Sequence, residues 1–174
     1  MVINQAVCKY KGRVYYVIFP GGDMVWLESD SDYDYTVRGF VKNKSYNGVT
    51  GRYHKYYKKE KVHISDIDWF CYVFTVGYYK GCKVHVTSEE NGKYQIDIFN
   101  VADINSDAYK VFTEKNAFKK FDRYDWYGDV PKSEVQNIVQ MVKPARPSLK
   151  APDKWDFQIP GDDNEFPRRV VPYE

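Results

Sequence analysis

Three histidines and one evenly spaced run of acids are the groups with which this 174-residue chain could do chemistry. His54, His63 and His85 stand in no H-E-x-x-H or H-x-H spacing, so neither a helix face nor a strand aims two of them at one metal ion. No glycine-rich loop leads from a strand into a helix to cradle phosphate, and no Ser or Cys stands in a nucleophile elbow. Cys8, Cys71 and Cys82 are odd in number, lie in strand-like apolar surroundings and include no C-x-x-C pair, which predicts buried, reduced thiols. The chain therefore reads as a binding protein rather than an enzyme, without metal or cofactor.

Glu28, Asp30, Asp32 and Asp34 alternate, and in an extended chain all four carboxylates would point to one side, about 7 Å apart. The run is not a calcium loop: D-S-D-Y-D-Y lacks the Gly needed at the sixth loop position, and Val41 stands where the closing Glu belongs. As a negative comb it would meet a basic partner surface, with Tyr33 and Tyr35 as aromatic anchors beside it. As structure alone it is a solvated hairpin tip. The opposite comb is H-K-Y-Y-K-K-E-K, where Lys55, Lys58, Lys59 and Lys61 interleave with Tyr56 and Tyr57. Lysines on phosphate and rings under bases are the ingredients of a nucleic-acid site; the same pattern also guards an exposed strand edge against aggregation.

These groups need a framework, and composition says which. The 17 Tyr, 10 Phe and 4 Trp are an aromatic load typical of sheets, where rings pair across strands. The first 142 residues are patterned as strands, including Val14 to Phe19, Met24 to Leu27, Tyr35 to Val41, Trp69 to Val76, Tyr94 to Phe99, Tyr109 to Thr113 and Ile138 to Val142. Pro20-Gly21-Gly22-Asp23 and Asn47-Gly48 supply tight turns. No window carries a long helical stripe, so any helix should be a single turn, with Lys115 to Phe121 the best place for one. The net charge of +2 is too small to argue by itself for nucleic acid or an anionic membrane surface. Residues 1 to 16 lack the apolar core of a signal peptide and no stretch approaches the ~20 apolar residues that cross a bilayer, so the expected location is cytoplasmic.

Self-comparison suggests a duplication. K-G-R-V-Y-Y-V-I-F, from Lys11, aligns on N-G-K-Y-Q-I-D-I-F, from Asn91, and pairs a hairpin at Gly12 with one at Gly92. V-H-I-S-D-I-D, from Val62, aligns on V-P-K-S-E-V-Q, from Val130. The offsets, 80 and 68 residues, place an extra excursion of the first copy around Lys44 to Arg52. Y-K-G at Tyr79 to Gly81 offers a rival register. After residue 142 the chain changes: Lys143 to Glu174 holds 6 of the 8 prolines and should keep no ladder of backbone hydrogen bonds. Trp155, Phe157 and Phe166 suit an extended strap laid over the rest.

The run D-W-Y-G-D-V-P-K-S-E-V, Asp125 to Val135, resembles the closing half of Src-homology-3-like barrels, in which an aromatic pair, a Gly and an apolar-Pro-Ser turn precede the last strand. Y-K-K-E-K-V-H-I-S-D-I would do the same work in the first copy. The resemblance implies an all-β chain of two tandem small Src-homology-3-like β-barrels, residues 1–78 and 79–142, followed by a Pro-rich extended segment, 143–174. Tandem small barrels in a Tyr- and Lys-rich chain of this size also resemble the bacterial immunity proteins of polymorphic toxin systems. On that resemblance the expected function is an inhibitor that neutralises a cognate toxin by stoichiometric occlusion, with a nucleic-acid-binding tandem barrel as the alternative.

Overall fold

The computed structural model describes residues 2–47, 52–98, 107–113, 118–122 and 125–146, and in the C-terminal segment 152, 154, 158–159, 163 and 165–172. They form a mostly antiparallel β protein of twelve strands: β1 (Gln5–Tyr10), β2 (Arg13–Gly21), β3 (Met24–Ser29), β4 (Val41–Asn47), β5 (Arg52–His63), β6 (Ile67–Tyr79), β7 (Cys82–Glu90), β8 (Lys93–Ile98), β9 (Lys119–Asp122), β10 (Asp125–Pro131), β11 (Val135–Pro144) and β12 (Arg168–Val170). Two short helices, α1 (Asp32–Val37) and α2 (Asp107–Thr113), and two 3-10 turns, Ile64–Asp66 and Lys132–Glu134, complete the order. The strands are amphipathic at period two: β3 and β8 each alternate buried with solvent-facing residues, which is what a sheet with one face on a core demands.

The chain divides into two compact units. One holds Gln5–Tyr72, Lys143–Asp162 and Pro172–Glu174; the other holds Met1–Asn4, Val73–Val142 and Asp163–Val171. The division falls inside β6, a few residues before the boundary expected at 78/79. In the first unit Cys8, Tyr15, Val25, Leu27, Phe40 and Phe70 build a core. In the second, Val84, Val86, Ile96, Phe112, Trp126 and Val130 build another.

Each unit is laid out in the same way. From β1 to β6 the chain runs through three strands, a helix, two strands, a 3-10 turn and a strand, and from β6 to β11 it repeats that sequence. The strand orders match too: β4-β5-β3-β2-β1-β6, then β9-β10-β8-β7-β6-β11. Both orders are open, because among the described residues no ladder joins their ends. β6 closes the first series and opens the second.

The rival register is therefore the structural one. The β1–β2 and β6–β7 hairpins turn through Lys11-Gly12 and Lys80-Gly81, all four residues at positive φ, the geometry of a type I′ turn, in which Gly is favoured because it has no Cβ to clash. Tyr10-Lys11-Gly12 and Tyr79-Lys80-Gly81 lie 69 residues apart, against 68 for the 3-10 turns. Asn91-Gly92 is instead the second hairpin, between β7 and β8. With that correction the expected extra excursion around Lys44 to Arg52 disappears. The two glycine turns look alike in sequence because every tight hairpin needs the same backbone chemistry, so the turn residues alone could not choose between them.

Three further expectations change. Tyr35 to Val41 is not one strand, since α1 takes its first three residues and only Val41 begins a strand, β4; Tyr109 to Thr113 lies in α2; and Lys119 to Phe121, within the stretch Lys115 to Phe121 expected to be helical, lies in β9. The C-terminal segment does carry a short ladder: Arg168–Val170 runs parallel to β11, with Gln140 N–H donating to Pro167 O and Val171 N–H to Val142 O. No proline falls between Pro167 and Pro172, so that stretch keeps its donors. Phe166 packs on the second unit's core; Trp155 and Phe157 lie outside the described residues. No helix among the described residues is long and apolar enough to cross a membrane.

Candidate functional site

The acidic comb does not form. Ser31 stands in extended backbone at the cap position, and the chain then turns into α1 with Asp32 and Asp34 in the first turn, where helix N-termini favour negative charge. Alternation that would align carboxylates on a strand scatters them on a helix. Glu28 is half-buried in β3, across from Tyr16 and Lys58. Asp30 is exposed. Asp32 accepts the Tyr57 hydroxyl, and that bond raises the Tyr57 phenol above its ordinary range.

Asp34 points inward, its side chain 1% exposed. Ser29 Oγ donates to it at 2.6 Å and the Tyr15 hydroxyl at 2.9 Å, while Arg13 and Arg38 approach the same carboxylate at 3.3 and 3.5 Å. Burial, and then the bond to Asp34, push the Tyr15 phenol up to about 12. A buried carboxylate between two arginines is paired as low dielectric requires. Gly39, at φ +71, ends the helix in the left-handed region.

α1 turns Tyr33, Tyr35 and Val37 outward, together with Asp32 and Thr36. Tyr33 is 51% exposed, Val37 63%, and Val41, at the start of β4, 53%. The Arg13 and Arg38 guanidiniums lie 5.9 and 5.6 Å from the Tyr33 ring, so the pair that fixes Asp34 also braces Tyr33. Tyr35 stacks on Tyr57 with centroids 5.2 Å apart, and Lys42 Nζ lies 4.8 Å from the Tyr35 ring centroid.

Beside this ridge, β4 and β5 form a ladder in which Lys42 faces Tyr57, Asn43 faces Tyr56 and Lys44 faces Lys55. Residues two apart share a face, so Lys42, Lys44, Lys55 and Tyr57 lie together on one side. Asn43 Nδ2 donates to the Tyr56 hydroxyl at 2.5 Å. These residues and Asp30 line a groove of about 640 Å³. Lys44 stands directly opposite Lys55 in cross-strand register.

The basic run is thus only partly a site. Lys55, Tyr56 and Tyr57 reach the groove. Lys58 lies 5.1 Å from the Trp26 ring centroid and pairs with Glu60. Lys59 donates to the Arg38 carbonyl at 2.8 Å, and Lys61 takes a positive φ where β5 bulges against β3. Sequence reasoning missed Arg13, Tyr15, Ser29 and Arg38 as the brace, Val37 and Val41 on the ridge, and Lys42, Asn43 and Lys44 in the groove. Only the K-N-K alternation of β4 was a local signal.

His63 Nδ1 accepts the Ser65 N–H at the start of a 3-10 turn. Among the described residues no three His, Cys, Asp or Glu side chains gather as metal ligands. Cys8 and Cys71 are buried and free, and burial raises both thiols, Cys71 to about 12.

One protein-family model, described as Uncharacterised conserved protein UCP033725, matches residues 2–146. No curated protein and no solved structure matches the chain.

Proposed function

The chain belongs to that family over residues 2–146, and on this premise we propose, from the geometry of the chain itself, that it is a non-catalytic protein-binding inhibitor of the immunity type, which occludes the working surface of a cognate toxin. The observation that carries the reading is the α1 ridge: Tyr33, Val37 and Val41 exposed in one short stretch, with α1 fixed from behind by the buried Asp34 carboxylate and its two partly exposed arginines. Tyrosines held rigid before contact lose little freedom on binding, and such anchors dominate interface energy. The finer fold reading goes with it in modified form: each repeat is a Src-homology-3-like unit whose strand order stays open at its edge, supported by the 3-10 turn that delivers a last strand beside the first in both repeats.

The partner this ridge suits differs from the one expected for an acidic comb. Asp34 and Asp32 are engaged within the protein, and the lysines of β4 and β5 flank the ridge, so an acidic rather than a basic surface complements it. Nucleic acid loses support because the Tyr35 ring, which a base could stack on, already has Tyr57 on one face and Lys42 over it.

The test is co-expression with the protein encoded by the adjacent reading frame. A 1:1 complex should co-purify and the chain should relieve that protein's toxicity, while Tyr33→Ala with Val37→Asp should abolish both and Lys110→Glu on α2 should leave both intact. Absence of a complex, or a complex indifferent to the ridge variant, overturns the reading.

A further inference from the structure

We infer that the open edge of β4 is the receptor for an extended segment of the partner that carries acidic side chains at every second position. The inference rests on the protein-binding reading above and names the chemistry of what is bound. β4 ends the first strand order and, among the described residues, pairs only with β5, so its outer edge offers backbone donors and acceptors to a further strand.

The side chains on that edge specify the guest. Lys42 and Lys44 repeat at the period of a strand, and Lys55 stands opposite Lys44 on the same face. A strand added beside β4 would hold its own side chains about 4.5–5.5 Å from those directly opposite, close enough for acids at alternate positions to meet Lys42 and Lys44 in turn. Carboxylates at alternate guest positions would pair with the Lys42 and Lys44 ammonium groups through charge-assisted hydrogen bonds, with Lys55 one strand further in on the same face. The groove of about 640 Å³ that Lys42, Lys44, Lys55 and Tyr57 help to line gives those carboxylates room, while Asn43 and Tyr56, bonded to each other, take the alternate positions of the ladder.

A phosphate backbone fits less well. Asp30 lies at the groove, and a continuous run of phosphates must pass it, whereas a peptide can meet it with a neutral or basic residue.

Fluorescence anisotropy on the full chain tests the inference with three twelve-residue peptides, alternating Thr-Glu, Thr-Gln and Thr-Lys, and a dT12 oligonucleotide. The Thr-Glu peptide should bind with a steep salt dependence, and the Thr-Gln and Thr-Lys peptides should bind at least about tenfold more weakly. Lys44→Glu with Lys55→Glu should cost at least a further tenfold, with an unchanged melting temperature showing that the variant folds. Lys119→Glu with Lys120→Glu on β9, the matching edge of the second repeat, should change nothing. N-methylation of alternate Thr-Glu backbone nitrogens should weaken binding, because edge pairing uses them. Tighter binding of dT12 than of Thr-Glu, or equal losses from the β4–β5 and β9 variants, overturns the inference. The Tyr33→Ala, Val37→Asp variant should still bind the short peptide. A peptide that binds without any partner complex sinks the inhibitor reading alone; a complex that depends on the ridge but ignores Lys44 and Lys55 sinks only the edge.

Discussion

α1 and α2 occupy the same slot in the two repeats, after the third strand and before the edge strand, yet they are held in opposite ways. α2 docks by its apolar side: Phe112 is buried, 4.4 Å from Phe118 and 6.1 Å from Tyr79 between ring centroids, and Tyr109 meets Trp126 edge-on. The only buried residue of α1 is a carboxylate, Asp34. A helix of six or seven residues does not persist unaided in water, so each needs its tether. One that docks by rings spends them on the core. One that docks by charge leaves its tyrosines and Val37 outside. The same topology thus gives a structural helix in one repeat and a presented surface in the other.

The largest effects should come from cutting the two tethers. Phe112→Ala should cost the second unit about 3–5 kcal/mol through the cavity it leaves; Asp34→Ala takes the acceptor from the buried Tyr15 and Ser29 hydroxyls and the counter-charge from the partly exposed Arg13 and Arg38, and should destabilise the first unit by about 1–3 kcal/mol. The conservative variants separate the mechanisms. Asp34→Asn keeps the size but not the charge and should recover little, whereas Phe112→Leu should recover most of the loss. Urea denaturation reads both, and a fully stable Asp34→Asn would show that shape, not charge, holds α1.

Next comes the surface that the charged tether frees. Tyr33→Ala and Val37→Asp should each weaken partner binding by about 2 kcal/mol or more, measured by calorimetry on the purified complex, while changing folding stability by less than about 0.5 kcal/mol. Lys110→Glu on α2 should do neither. Equal losses from both helices would erase the functional distinction between the repeats.

The brace also makes a smaller, pH-dependent difference. Tyr15 is buried and its phenol is raised from 10.0 to about 12. Below pH 10 the phenol is protonated whether the chain is folded or not, so it contributes no pH dependence. As pH rises from 10 towards 12 the unfolded chain ionises first, and stability on the order of 2–3 kcal/mol is lost. Tyr15→Phe should flatten that alkaline slope; an unchanged slope would remove Tyr15 as its source.

The contrast between the repeats marks what the sequence could disclose. Alternation in Met24 to Leu27 and Tyr94 to Ile98, and the turn chemistry at Lys11-Gly12 and Asn91-Gly92, are local properties, and strands and hairpins stand where they fall. The 3-10 turns were legible from V-x-x-S-acid because both must start a single turn before a strand. The Gly12–Gly92 pairing misled because it weighed residue type without strand order, which only long-range ladders supply. Asp34 misled for a similar reason: its partners Arg13 and Tyr15 lie on β2, and nothing local separates a carboxylate bound for the interior from one bound for solvent. The groove was half legible, since Lys55 to Tyr57 announce themselves but Lys42 and Lys44 acquire meaning only across the β4–β5 ladder.

The finest comparison lies where the last strand of each repeat meets the first. Counting 69 residues back from Gly77 on β6 reaches Cys8 on β1. A Cβ built on Gly77 would lie 2.8 Å from Val135 Cγ1 and 3.3 Å from both the Gln136 carbonyl oxygen and Ile138 Cγ1, so β11 packs against this part of β6 with no room for a side chain. Cys8, fully buried, fills the matching place with a thiol. Adding a methyl at one position and removing a sulfur at the other should therefore both destabilise: Gly77→Ala by about 1–3 kcal/mol through overpacking, Cys8→Ala by about 1 kcal/mol through a small void. The urea midpoints of the two variants measure this directly. A neutral Gly77→Ala would mean that β11 gives way easily and that the two seams pack at the same spacing.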